Sequence, residues 1–241
     1  QNTCEVRAIQ GIDPSIVRQQ IEAVLDDLPC RTVKLGMLYA RPTIEAIADC
    51  LAHYPLDHIV LDPVMVSTSG CRLIEEEAIE AVKSLLLPRA TLVTPNIPET
   101  EILSGLPVTN ERDMELAAQR LFRIGCRAVL IKGGHLEGAE SYDLLFTPHA
   151  DPVRYTSPRV ATRNTHGTGC TFSSAIASYL ALGHTLPDAV AAAKHYLTQA
   201  LRAGADVTIG HGHGAVNHLF APCVLTARDN EALNEKEKPT H

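Results

Sequence analysis

The chain has no tryptophan, and aromatic residues of all kinds make up only 4% of it. Its core must therefore come from Ala, Leu, Ile and Val, a composition that suits an α/β fold. No run of 18 apolar residues is present, which excludes a transmembrane helix. A signal-peptide pattern is absent too; the chain opens Gln1-Asn2-Thr3-Cys4-Glu5 without an initiator Met and reads as the middle of a longer protein. Seven cysteines (Cys4, Cys30, Cys50, Cys71, Cys126, Cys170, Cys223) contain no Cys-x-x-Cys pair. An odd, unpatterned set predicts reduced thiols and a cytoplasmic setting. Basic residues are outnumbered, with a net charge of −7, which argues against nucleic acid or an anionic membrane as partner. Several catalytic signatures are also missing: Gly-x-x-x-x-Gly-Lys-Ser/Thr, Gly-x-Ser-x-Gly, His-Glu-x-x-His, and Gly-x-Gly-x-x-Gly after a strand. Their absence removes Walker-type nucleotide binding, serine hydrolase, zincin and Rossmann dehydrogenase readings.

What is present is a chain of 241 residues with 45% hydrophobic and 20% charged residues, enough to bury a sizeable core. Short β-branched runs at 32–35, 58–62, 91–94 and 128–132 read as strands. Amphipathic segments at 14–27, 42–53, 75–87 and 110–124 read as helices between them. The runs 143–147 and 152–155 look like a strand pair. A last helix is expected over 186–203, with Thr185 as N-cap, Asp188 at N3 and Gly204 as its stop. This alternation predicts a mostly parallel central sheet with helices on both faces, and ligands then bind at the carboxyl ends of the strands. The residues following the strands are Gly36-Met37, Asp62-Pro63-Val64-Met65, Pro95-Asn96 and Lys132-Gly133-Gly134-His135.

The most informative stretch is Asn164-Thr165-His166-Gly167-Thr168-Gly169-Cys170-Thr171, followed by a small, apolar run to Leu180. It reads as a buried helix whose first turn lies at about 168–170. Free N–H groups and the positive end of the helix dipole favour an anion there, and glycine lets it come close. A thiol in the same field is a candidate acid/base group, and this pairing suits phosphoryl transfer. The plainer alternative is a loop-to-helix junction with Cys170 as a small buried hydrophobe.

Asn96 and Glu99 open another helix, and with Asp62 they could hold a hydrated Mg²⁺. Simple capping is the competing and commoner reading of that spacing. Lys132-Gly133-Gly134 offers a cation and a flexible backbone to phosphate oxygens, or else a turn with a snorkelling lysine. Gly210-His211-Gly212-His213-Gly214, with His218 behind it, falls short of a zinc ligand set and reads as a mobile glycine loop at a nucleotide's edge.

With these residues in hand, the chain resembles the hydroxymethylpyrimidine/phosphomethylpyrimidine kinases of thiamine biosynthesis, members of the ribokinase-like superfamily. The likeness runs from about Gln1 to Phe220. Its markers are Gln1-Asn2-Thr3, Lys34-Leu35-Gly36-Met37-Leu38, Leu61-Asp62-Pro63-Val64-Met65 with Ser69-Gly70, Thr94-Pro95-Asn96-x-x-Glu99, Lys132-Gly133-Gly134-His135 and the 164–171 segment. Most of the superfamily carries Asp at the position of Cys170.

The polar, charged composition of 226–241 reads as a disordered tail, and the resemblance implies a kinase domain over 1–225. It implies ATP-dependent phosphorylation of 4-amino-5-hydroxymethyl-2-methylpyrimidine and then of its monophosphate. Cys170 would be the base, with Gly167, Thr168 and Gly169 forming the anion hole. Asp62 and Glu99 would serve Mg²⁺; Asn96, Lys132 and Thr165 would serve the nucleotide; Gln1, Met37 and Val64 would line the pyrimidine pocket. The partner expected is the small pyrimidine, with no nucleic acid and no membrane, and a homodimer is compatible with the family. The family's first strand and glycine-rich turn would precede Gln1, and their loss is expected to leave two neighbours inside the sheet unpaired. Three alternatives stay open: a pyridoxal kinase of the same superfamily, a ligand-binding module without turnover, and one half of a fused thiamine enzyme.

Overall fold

The computed structural model describes residues 1–65, 73–134 and 139–222. Cys71, Ser69-Gly70, His135, Cys223 and the 226–241 tail lie outside the described residues. Four parallel strands, β1 (Thr32–Leu35), β2 (His58–Leu61), β3 (Leu92–Val93) and β4 (Val129–Lys132), stand side by side. Two antiparallel strands, β5 (Glu140–Phe146) and β6 (Val153–Pro158), extend the sheet, giving the order β1-β2-β3-β4-β5-β6.

Side-chain alternation sorts the strands onto two faces. Leu61, Val93, Val129 and Ile131 join one core with α2 (Arg41–Leu51), α3 (Glu76–Ala81), α4 (Ile97–Ser104) and α5 (Glu111–Ile124). Val60, Leu92 and Leu130, on the intervening positions, pack with α6 (Thr168–Ala181) and α7 (Leu186–Gly204) on the other. The first helix, α1 (Pro14–Leu25), is capped by Asp13 and lies on α2. Both faces of the sheet are therefore covered, the arrangement that a run of apolar parallel strands requires.

Three local features depart from the sequence-based expectation. β3 is shorter, because Pro95 has no N–H to give the ladder; bridging resumes at Asn96, which pairs with Lys132. The helix expected over 75–87 changes at Val82 into a π-helical turn, with the Leu87 N–H on the Val82 carbonyl, and Val82, Leu86 and Leu87 are all buried there. Gly204 does not stop α7 but ends inside it. A Cβ on it would stand 3.2 Å from the Asn217 backbone nitrogen, so its use is close approach.

The expected gap inside the sheet is not found among the described residues. The six strands are contiguous, and β1 is the strand at one margin. None of the described helices is long and apolar enough to cross a membrane. Cys4, Cys30 and Cys170 are exposed free thiols, and Cys50 and Cys126 are buried ones. Burial pushes the Cys126 thiol up to about 12.

Candidate active site

The carboxyl ends of β2, β3 and β4 bring three charged side chains into one cluster. Asp62 follows β2, Lys132 closes β4, and Glu99 lies in the first turn of α4, which starts just after β3. Lys132 Nζ is 2.8 Å from Asp62 Oδ1 and 3.9 Å from Glu99 Oε2. Asp62 also accepts from Thr94 Oγ1 at 3.3 Å, while Ser173 Oγ stands 3.2 Å from its other oxygen. All of these side chains are largely or wholly withdrawn from water.

Burial raises the Glu99 carboxyl above its ordinary 4.5, and nearby Asp62 adds to that. The Lys132 charge and the Asn96 and Met65 N–H groups pull it back only in part. Burial also works against the Lys132 charge, but Asp62 and Glu99 together outweigh it and hold the ammonium above 10.5. One cation thus serves two carboxylates. The reading of Lys132 as a snorkelling turn lysine does not survive this geometry.

The capping reading of Asn96 and Glu99 holds and does not exhaust them. Asn96 Oδ1 accepts the Glu99 N–H at 2.9 Å and Glu99 Oε2 accepts the Asn96 N–H at 2.8 Å, a complete capping box. The same Glu99 oxygen faces Lys132. The cap therefore fixes the carboxylate that the cluster uses.

Behind Lys132 lies a second buried ion pair that the sequence did not announce. Lys194 Nζ, from α7, is 2.6 Å from Asp143 Oδ2 on β5. Asp143 Oδ1 accepts the Gly133 N–H at 3.1 Å, and that N–H also reaches the Tyr142 carbonyl at 3.0 Å. A Cβ on Gly133 would come within 2.4 Å of that carbonyl, so the Lys132-Gly133 turn is drawn tight against β5 and admits no side chain.

Above the cluster sits the start of α6. Gly167 at its N-cap has φ 86° and offers no capping side chain. Among the described residues the N–H groups of Gly169 and Cys170 meet no acceptor. A Cβ on Gly169 would lie 3.3 Å from Lys132 Nζ and 3.8 Å from Asp62 Oδ2, so the free turn rests directly on the ion pair. Ser173 Oγ, 3.0 Å from the Gly169 carbonyl, ties this turn to Asp62. Cys170 is exposed, which overturns its reading as a buried hydrophobe.

Asn164 holds the neighbouring loop. Its buried Nδ2 donates to the Gly204 and Val207 carbonyls, both at 2.6 Å. A Cβ on Gly214 would meet Asn164 Oδ1 at 2.1 Å. The His166 N–H donates to the Gly214 carbonyl, the Gly212 N–H to Thr3 Oγ1 and the His213 N–H to the Thr3 carbonyl. The 210–214 loop expected to be mobile is thus bound on both sides. His213 Nδ1 faces the Arg163 carbonyl and His218 Nε2 faces Thr171 Oγ1. Asn164→Ala is expected to lower stability by about 2 kcal/mol, because two carbonyls lose their donor; urea unfolding of the two proteins measures it.

The remaining expected site residues are Met37, Val64, Thr165 and Gln1. Met37 is 47% exposed after β1, and Val64 is half-buried after Asp62. The Thr165 carbonyl accepts both the Thr168 N–H and Thr168 Oγ1. Gln1 is exposed and makes no hydrogen bond among the described residues; its segment is anchored through Thr3 at the 210–213 loop. Lys34, Thr94, Ser173, Asp143 and Lys194 were not expected at the site. Lys34 and Thr94 had local signals, their places in the Lys-Leu-Gly-Met-Leu and Thr-Pro-Asn runs.

A doubly covered parallel sheet, with a lysine-bridged carboxylate pair under an uncapped glycine-rich helix start, has the architecture of a ribokinase-like small-molecule kinase. The chain matches the phosphomethylpyrimidine kinase family over residues 1–217 and belongs to that family. It is 49% identical over 221 residues to the thiamine biosynthesis bifunctional protein ThiED of Geobacter sulfurreducens. That match takes in 92% of this chain and 44% of the relative, so the chain spans less than half of the bifunctional protein. It is 45% identical to the hydroxymethylpyrimidine/phosphomethylpyrimidine kinase of Rhizobium meliloti, covering 91% of this chain and 82% of that enzyme. Among solved structures, the pyridoxal kinase of Staphylococcus aureus in complex with AMP-PCP and pyridoxal superposes with a TM-score of 0.78 at 32% identity, over 86% of this chain and 74% of that one.

Proposed function

We propose that the chain transfers the γ-phosphoryl group of ATP to the hydroxyl of 4-amino-5-hydroxymethyl-2-methylpyrimidine, and then a second one to the monophosphate so formed. The observation that carries this reading is the pair of unbonded N–H groups at Gly169 and Cys170, set over the Asp62–Lys132 ion pair. Cys170 takes the proton as the substrate oxygen bonds to phosphorus. The bond to the β-phosphate oxygen breaks, and ADP leaves with that electron pair. The Gly167–Cys170 backbone and Lys132 meet the negative charge that spreads over the phosphoryl oxygens.

Asp62 and Glu99 are the residues that would hold Mg²⁺. Two buried hard-oxygen donors fit an ion bound through one or two carboxylates, with water and phosphate completing its shell. They do not fit an all-protein cage, since among the described residues no three His, Cys, Asp or Glu side chains gather to hold a metal. When bound, the ion supplies charge neutralisation to the nucleotide phosphates. A cavity of about 630 Å³ beside Asn164, with Val207 and Ile209 as apolar wall and Arg163, Asp206 and Thr208 as polar lining, is large enough for the base of the nucleotide.

Pyridoxal is the second acceptor to test, because the pyridoxal kinase shares the fold. The higher identity to the pyrimidine kinase favours the pyrimidine. A product assay with Mg-ATP and each acceptor offered separately distinguishes them, and turnover of pyridoxal alone would overturn the pyrimidine reading.

Glu99→Gln separates the cap from the chemistry. Glutamine keeps the capping bond and removes a charge that burial disfavours. Because the folded-state carboxyl is raised, wild-type stability falls as pH rises from about 4.5 through the folded value. The variant is therefore expected to be at least as stable as wild type at pH 7, with that advantage fading below pH 4.5. Turnover is expected to drop about tenfold to a hundredfold. Urea midpoints across pH and steady-state rates check both, and a destabilised variant with normal turnover would leave Glu99 a cap only.

A further inference from the structure

Among the described residues, the cluster has a cation that ion-pairs without a hydrogen bond. Lys34, at the end of β1, has a side chain only 20% exposed, and its Nζ lies 4.0 Å from Asp62 Oδ2. Among the described residues that ammonium donates no hydrogen bond. Asp62 does not need it: Lys132 and Thr94 occupy one oxygen and Ser173 stands on the other. An ammonium has three donors and is costly to withdraw from water without a partner. Lys132, by contrast, already spends one of its three donors on Asp62 at 2.8 Å.

Gly36 leaves the space next to the Lys34 ammonium free of a side chain. A Cβ on Gly36 would stand 2.7 Å from Lys34 Nζ, so any side chain there would displace the ammonium. Met37, the next residue, is exposed.

We infer that Lys34 is a phosphoryl ligand, donating to a non-bridging oxygen on the Gly36–Met37 side of Asp62. The inference deepens the kinase reading and rests on it. Two phosphoryl groups could supply that oxygen: the one in transfer, or the ester already on the pyrimidine in the second reaction.

Lys34→Met and Lys34→Arg, assayed with the hydroxymethyl and monophosphate acceptors separately, distinguish these sources. The expected result is a fall in kcat/KM of roughly thirtyfold or more for Lys34→Met, the scale for truncating one partner of a buried charged pair, with much of it recovered in Lys34→Arg. A loss confined to the monophosphate acceptor assigns the oxygen to the substrate ester; an equal loss for both assigns it to the transferring group. Calorimetric binding of inorganic pyrophosphate is a readout independent of the acceptor, and it should weaken about tenfold in Lys34→Met. Wild type that phosphorylates neither pyrimidine, yet binds pyrophosphate through Lys34, would refute the kinase reading and keep the ligand. Unchanged rates and pyrophosphate affinity in Lys34→Met would overturn the inference. Equal losses in both variants with a lowered thermal midpoint would overturn it too, leaving Lys34 a structural charge.

Discussion

Replacing Cys170 with alanine is expected to reduce turnover by about a thousandfold, the middle of the range for a positioned proton acceptor. Nucleotide affinity should change little, because the Gly167–Cys170 backbone stays in place. The thiol is exposed in the first turn of α6, so it is open to both substrate and reagent. Cys170→Ser should do little better, since a hydroxyl is a weak base at neutral pH. Alkylation should inactivate wild type and the pyrimidine should protect it, with modified peptides mapped because Cys4 and Cys30 are exposed as well. Near-normal turnover in Cys170→Ala would remove the centre of the proposed chemistry.

The second large effect is expected from Lys132→Met, and it is one of stability as well as rate. Asp62 and Glu99 would be left facing each other in a buried site without their shared cation. Removing one partner from such a group costs about 3–5 kcal/mol, or on the order of 10 °C in midpoint for a chain of this size. The sign with pH is fixed by the groups involved. Lys132 is held above 10.5 in the folded state, so its contribution is complete at neutral pH and is lost only as pH rises through that higher value. On the acid side, protonating Glu99, whose carboxyl is already raised by burial, removes the repulsion in the variant, so the gap to wild type should close as pH falls. Thermal unfolding at pH 5, 7 and 9 tests this. A gap that stays constant across the series would mean the lysine contributes packing and not charge.

How much of this was legible in the sequence depends on whether a feature is local. Strand β1 and helix α6 were readable to within a residue, because alternation and a glycine-rich helix start are written in adjacent positions. Asp62, Glu99 and Lys132 were readable as candidates because each lies at or just past the carboxyl end of a strand in a parallel sheet. Their union through one ammonium was not, since Lys132 and Asp62 are 70 residues apart. The Lys194–Asp143 pair was hidden for a related reason. A lysine in an amphipathic helix and an aspartate in a strand both look like surface residues until the helix lands on the sheet. Capping and ligand binding also compete for the same residues in one-dimensional text, and Asn96-x-x-Glu99 turned out to serve the cap while facing the lysine. The Gly210–Gly214 run misled in another way: its glycines suggest freedom, whereas two of them make room for Thr3 and one for Asn164.

The bare first turn of α6 has a consequence for how occupancy can be observed. Amide protons without an acceptor exchange with solvent quickly, and those that gain one slow down. In the empty protein the amides of Gly169 and Cys170 should therefore exchange far faster than those deeper in the same helix, such as Phe172 and Ile176. A phosphoryl anion seated on the turn would complete the helix and bring these two protons into line with their neighbours. Deuterium uptake at two backbone positions would thus serve as a gauge of site filling. It needs no turnover and works in the Cys170→Ala protein as well as in the wild type.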